Sequence, residues 1–197
     1  MLDRRHAIAH LLAARSDELC IVTGLGSTTY DVASVKDDDR NFYLWGAMGG
    51  AALVGLGLAL ARPDLRIAVI TGDGEMLMGL GGLATVGVQQ PANLAIIVFD
   101  NGVYGETGMQ ASHTHGGVDL AAAATACGIE LALDVKDQAQ LHKLADRLSD
   151  FDRTLFARVR IKPEEPPRVL PTRDGVALKL RFRRATGADR SLEPHQP

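Results

Sequence analysis

Apolar positions along the chain follow two rhythms. The runs Leu19-Cys20-Ile21-Val22, Ile67-Ala68-Val69-Ile70 and Leu94-Ala95-Ile96-Ile97-Val98-Phe99 are continuous, short and closed by Thr, Gly or Asp. They predict strands buried on both faces. Between them the apolar residues recur at helical spacing. The pattern predicts helices over 4–15, 48–61, 76–89, 118–127 and 137–149, and strands over 18–23, 66–71, 94–100, 129–134 and 154–161. Residues 24–30 read as a Gly/Ser/Thr loop, Asp37-Asp38-Asp39 as a solvated turn, and 102–117 as a Gly- and His-rich loop; Arg62-Pro63 ends the second helix. Alternation of this kind implies an α/β fold: a mostly parallel sheet with helices on both faces, joined by right-handed crossovers. At Lys162 the composition changes, with Pro163, Pro166, Pro167 and Pro171 close together. We therefore expect one domain over 1–162 and an extended C-terminal tail over 163–197. The tail, with its basic segment Lys179–Arg184, would leave the domain to pack on a partner subunit, its last dozen residues loose.

Composition narrows the class of partner. A chain of 197 residues, 46% hydrophobic and 23% charged, suffices for one core and is too short for two full α/β domains. The net charge of −3 and the lack of a basic patch interleaved with aromatics argue against nucleic acid. Cys20 and Cys127 are far apart and form no C-x-x-C pair, as expected for reduced, structural cysteines of a cytoplasmic protein. The start of the chain has no signal-peptide cleavage pattern. The apolar stretch from Ala47 to Ala61 is broken by glycines and too short to span a bilayer, so no membrane role is expected.

The candidate chemistry lies at strand ends. Gly72-Asp73-Gly74 closes one predicted strand and Asp100-Asn101 the next, with residues 75–99 between them. Ligands of open α/β sheets bind at the carboxyl ends of the strands, and two adjacent strands can aim Asp73 and Asn101 at one point. A carboxylate, an amide oxygen and a nearby backbone carbonyl are hard ligands that suit Mg²⁺, which completes its octahedron with waters and phosphate oxygens. A Gly-Asp-Gly turn alone is ordinary loop chemistry; the spacing and the two flanking strands make it more than that. Gly24-Leu25-Gly26-Ser27-Thr28-Thr29, after the first strand, offers hydroxyls and backbone N–H groups to phosphate oxygens. It is not a dinucleotide fingerprint, because the third glycine would fall at Thr29.

These motifs resemble the thiamin diphosphate enzymes, whose pattern is G-D-G, a spacer, then N-N; here the first Asn is Asp100. The resemblance implies a thiamin diphosphate-binding fold and a Mg²⁺ ion held by Asp73, Asn101 and the main-chain carbonyl of Val103. It implies cofactor contacts from Gly26, Ser27, Thr28, Gly72, Gly74, the backbone N–H of Glu75, and Tyr104. Glu75 departs from the family, which often has Ser or Ala there, so its carboxylate must point away from the phosphates. In Gly46-Ala47-Met48-Gly49, the Gly46 carbonyl would accept from the cofactor's 4′-amino group and Met48 would wedge under the bent cofactor; the plain alternative is a core methionine. Gly46 and Met48 are thus candidate catalytic residues, with His113 a third. His113 belongs to the loop Tyr104–His115, whose flanking glycines would let it close over the site and meet a second anion on the substrate. His113-Thr114-His115 has no third ligand to make a metal site.

Activation in this family requires a glutamate from a separate pyrimidine-binding domain. Glu18 opens a strand, and Glu75 and Glu106 belong to the phosphate side. The resemblance therefore implies a β-type subunit, inert alone, in a homo- or hetero-oligomer whose α partner supplies the glutamate, acting on a small 2-oxo acid. Asn41–Gly49 and Asp100–Gly108 look most like the sulfopyruvate and phosphonopyruvate decarboxylase branch. The alternatives are a 2-oxo acid:ferredoxin oxidoreductase subunit, which would normally bring iron–sulfur cysteines, an acetolactate-synthase-like carboligase, and a non-catalytic cofactor-binding subunit.

Overall fold

The computed structural model describes residues 1–188. Six strands form a parallel sheet: β1 (Leu19–Thr23), β2 (Asn41–Tyr43), β3 (Arg66–Gly72), β4 (Leu94–Asp100), β7 (Leu131–Val135) and β8 (Leu155–Arg160), in the order β2-β1-β3-β4-β8-β7. A small antiparallel hairpin, β5 (Val103–Tyr104) with β6 (Gln110–Ala111), stands apart. The helices are α1 (Arg4–Leu12), α2 (Ser27–Val35), α3 (Ala51–Ala61), α4 (Asp73–Met78), α5 (Gly82–Gln89), α6 (Leu120–Ala126), α7 (Gln138–Ser149) and α8 (Gly175–Ala185).

Each strand feeds two cores because its successive side chains point to opposite faces. On β3, Ala68 and Ile70 pack with α1, α2 and α7 through Ile8, Val32 and Leu144, while Ile67 and Val69 pack with α3, α5 and α6 through Leu56, Leu83 and Leu120. That is why the strands read as unbroken apolar runs. α3 lies very close to the sheet: a Cβ on Gly55 would sit 2.2 Å from Cγ2 of Val69.

The order of strands places the site. The chain leaves β1 toward β2 on one side and returns to β3 on the other, so the loops after β1 and β3 diverge and leave a crevice at their carboxyl ends. The β3–β4 register pairs Gly72 with Phe99, so Asp73 and Asp100 emerge from adjacent strands at the same level.

Several elements differ from the expectation. Residues 27–35 are helical, although 24–30 reads as loop; Thr29 donates to the Gly24 carbonyl at 2.7 Å and meets the Thr23 hydroxyl at 2.6 Å, so the hydroxyls that suggest a loop instead anchor the helix start. β2 is too short to register as a strand, and is held by pairing with β1 and by Asn41, which accepts from Arg15 at 2.6 Å. The long helix expected over 76–89 is two, parted around Gly79–Gly81, and its first half starts earlier, at Asp73. The tail is not extended throughout: Asp174 caps α8, whose Leu178 and Phe182 are buried against this same chain, the Phe182 ring meeting Phe42 edge-on at 5.5 Å. Residues 189–197, most of the dozen expected to be loose, lie outside the described residues. No helix among the described residues is long and apolar enough to cross a membrane.

Phe182→Ala should lower unfolding free energy by about 3 kcal/mol in urea titration. A loss below about 0.5 kcal/mol, the ordinary range for a surface site, would mean that α8 contributes nothing to the fold.

Candidate functional site

A cleft of about 180 Å³ opens at the switch point. Ser27 and Thr28 border it from the start of α2; Gly72, Asp73, Gly74 and Glu75 from the start of α4; Asn101, Val103 and Tyr104 from the loop after β4; and Met48 from the turn before α3. Gly26, in the left-handed region with φ +84°, caps α2, and Gly72 caps α4; neither cap is a side-chain hydrogen bond. The first N–H groups of both helices therefore lack a side-chain cap from the preceding residue. Gly46, φ +73° and exposed, stands outside the cleft lining, as does His113, whose Nδ1 lies 3.4 Å from the Tyr104 hydroxyl. Tyr104 itself packs on Gly74, where a Cβ would come within 2.6 Å of its ring.

Asp73 is buried at the centre of a short network. Its Oδ2 accepts from Ser112 at 2.5 Å and lies 3.1 Å from the Thr114 hydroxyl, which also reaches Asp100 at 2.8 Å and Ser112 at 2.8 Å. Two hydroxyl protons therefore serve four oxygen–oxygen contacts involving two carboxylates. Such a deficit of positive charge suits a cation. Burial raises the Asp73 carboxyl above the usual carboxylate range, and the Asp100 charge adds to this against the bonds from Ser112 and Thr114. Asp100 is matched by Arg158 on β8, whose Nε sits 2.5 Å from Oδ2 in a pair shielded from solvent. The Asn101 oxygen accepts from the Val103 N–H at 3.0 Å, which shapes the turn and leaves a second lone pair.

Residues 24–159 match the family model for the C-terminal TPP-binding domain of thiamine pyrophosphate enzymes. The chain belongs to the thiamine pyrophosphate enzyme family. It is 38% identical over 163 residues to the β subunit of sulfopyruvate decarboxylase from Methanothermobacter thermautotrophicus, a match covering 83% of this chain and 84% of that one. It is 45% identical over 122 residues to phosphonopyruvate decarboxylase of Streptomyces viridochromogenes, across 62% of this chain and 30% of that longer one. In fold it is similar to benzoylformate decarboxylase from Polynucleobacter necessarius, with TM-score 0.70 at 20% identity over 84% of this chain and 34% of that one.

For a thiamine pyrophosphate enzyme the unusual residue is Glu75. Its carboxylate is buried and accepts from Thr71 Oγ1 at 2.6 Å and from the Ala51 N–H at 3.2 Å. Burial raises its pKa, opposed by these two bonds and by the nearby N–H groups of Gly49 and Leu25. The carboxylate thus turns inward, as the resemblance requires, and is satisfied by the loops that frame the cleft. A Cβ on Gly24 would fall 1.4 Å from Glu75 Oε2, so that glycine is what admits it.

Thr114, Thr71 and Arg158 escape a reading of the sequence, which offers Ser112 only as a member of the Tyr104–His115 loop. Arg158 alone leaves a signal there: a cation inside the apolar run Leu155–Val159 needs a buried partner. The two hydroxyls come from a loop whose path sequence does not give. Glu75→Ala should cost about 2–4 kcal/mol in denaturant unfolding, because it strands a buried hydroxyl and the Ala51 N–H. Wild-type stability would remove the three-loop role.

Proposed function

We propose that this chain is the β-type subunit of a thiamin diphosphate-dependent 2-oxo acid decarboxylase of the sulfopyruvate or phosphonopyruvate kind. It holds the Mg²⁺-diphosphate end of the cofactor in the cytoplasm. One observation carries the reading: two helix N-termini without side-chain caps and the cation-seeking Asp73 network converge at the switch point of the sheet. Asp73, the Asn101 amide oxygen and the Val103 carbonyl would take the Mg²⁺. The N–H groups of α2 and α4, with the Ser27 and Thr28 hydroxyls, would take phosphate oxygens.

Once bound, the cofactor supplies the electron sink for loss of carbon dioxide. Met48, 40% exposed and with its Cε near Gly74, is not a core side chain; that supports its role as the wedge that keeps the cofactor bent. The exposed Gly46 carbonyl, set by a positive-φ turn, suits acceptance from the 4′-amino group. None of the three glutamates weighed from the sequence fits activation: Glu75 is sealed by three loops, Glu106 pairs with Arg168 at 3.2 Å, and Glu18 precedes β1 at the far end of the sheet. The activating glutamate accordingly comes from the α subunit. The nearly all-apolar helix α3 leaves Leu53 and Val54 exposed, and exposed Met78 on α4 lies against Gly49 just ahead of that helix, an arrangement suited to a covering subunit.

Mixed with its α partner, the chain should release carbon dioxide from sulfopyruvate or phosphonopyruvate, and alone it should release none; no release from either acid by the complex would refute the reading. Asp73→Ala should abolish Mg²⁺-dependent binding of thiamin diphosphate in calorimetry with the circular-dichroism spectrum unchanged, and retained binding would remove the metal assignment. In the complex, Met48→Gly should leave cofactor affinity within about threefold while lowering kcat about tenfold or more. Full activity would make Met48 a bystander.

A further inference from the structure

Arg4 opens α1, yet it is only 6% exposed and borders the cofactor cleft. Its Nε lies 2.7 Å from Oδ2 of the fully buried Asp31, but off the line of a hydrogen bond, and neither atom has another hydrogen-bond partner among the described residues. Arg5 makes the aligned bond to Asp31, from Nε to Oδ1 at 3.1 Å, and spends a terminal nitrogen on the Pro167 carbonyl at 2.7 Å. The two terminal nitrogens of Arg4 make no hydrogen bond to any described residue. Asp31 thus supplies charge that keeps Arg4 buried without consuming the fork of donors at its tip.

The surroundings make that fork unusual. Among the described residues lining the cleft Arg4 is the single cation, against the carboxylates of Asp31, Asp73, Glu75 and Glu106. Its donors share the cleft with Ser27, the first residue of α2. Arg4 also borders the adjoining hollow formed with Tyr30, Glu106 and Pro166, which Met48 does not line. Arg4 and Met48 accordingly mark different ends of the bound molecule. A guanidinium with a free, planar pair of N–H donors is shaped for two phosphate oxygens.

We infer that Arg4 is a specificity-determining residue that binds the terminal phosphate of the cofactor together with the N-terminus of α2, and so selects the diphosphate over thiamin monophosphate. The inference rests on the thiamin diphosphate reading above and adds to it a ligand outside the G-D-G and D-N motifs. Asp31 acts through Arg4 and is a positioning residue.

The test is calorimetric titration of the full chain with Mg²⁺, using thiamin diphosphate and thiamin monophosphate in parallel. Arg4→Met alone would strand Asp31, so the informative variant is the double substitution Arg4→Met/Asp31→Asn, with Arg4→Lys beside it as a variant that keeps the buried charge. The double variant should bind the diphosphate about tenfold or more weakly, with monophosphate affinity changed less than about twofold. Arg4→Lys should fall between it and wild type for the diphosphate, because it restores the charge and not the fork. Equal weakening of both ligands, or diphosphate affinity as in wild type, would overturn the assignment. If Asp73→Ala abolishes diphosphate binding while both Arg4 variants bind as wild type does, the inference fails and the parent reading stands. If the wild-type chain binds no thiamin diphosphate, both fall.

Discussion

Glu75 sits where three loops meet: its carboxylate accepts from the Ala51 N–H ahead of α3 and from Thr71 Oγ1 at the end of β3, and it lies against Gly24 after β1. A buried carboxylate without such partners would be prohibitive. With them, it fixes the relative positions of segments that belong to different crossovers of the sheet. The start of α2, the Met48 turn and the Gly72–Gly74 turn are therefore set against one another by one side chain. The residue that departs from the family pattern serves as the support of the site, while its backbone N–H remains at the start of α4.

The other departure, Asp100 in place of the family's first Asn, is compensated in a similar way. Replacing an amide by a carboxylate next to Asp73 adds a negative charge where a buried carboxylate already stands. Arg158, on the neighbouring strand and in register with Val98, reaches across to pair with it. Thr114 links the two acids and brings the 112–115 loop down onto the site. In this way the loop carrying His113 and the Gly72–Gly74 turn become parts of one hydrogen-bonded unit, with Tyr104 between His113 and the cleft.

What the sequence discloses is what repeats. The continuous apolar runs of β1, β3 and β4 identify buried parallel strands, and the turns at their ends bring Asp73 and Asn101 to one edge of the sheet, as the register of Gly72 with Phe99 requires. The family assignment and the decarboxylase branch follow from the same short motifs and agree with the comparisons. What stays hidden depends on contacts between residues distant in sequence. The Ser/Thr-rich opening of α2 looks like loop because its hydroxyls bond backbone, and only the packing around Gly24 shows that they anchor a helix. β2 is too short to show a period, and α8 looks like tail because prolines precede it and basic residues interleave its apolar ones; burial of Phe182 on Phe42 decides it. Thr114 and Arg4 carry no local signature at all.

The central claim is that this chain alone builds a metal-diphosphate site on Asp73. Electron paramagnetic resonance of Mn²⁺, used in place of Mg²⁺, reports this directly. At concentrations where thiamin diphosphate by itself leaves the metal free, adding the full chain together with thiamin diphosphate should immobilise Mn²⁺ in proportion to protein, and omitting the cofactor should leave most of it free. Mn²⁺ that stays free in the presence of both, or that binds equally well without the cofactor, would contradict the account.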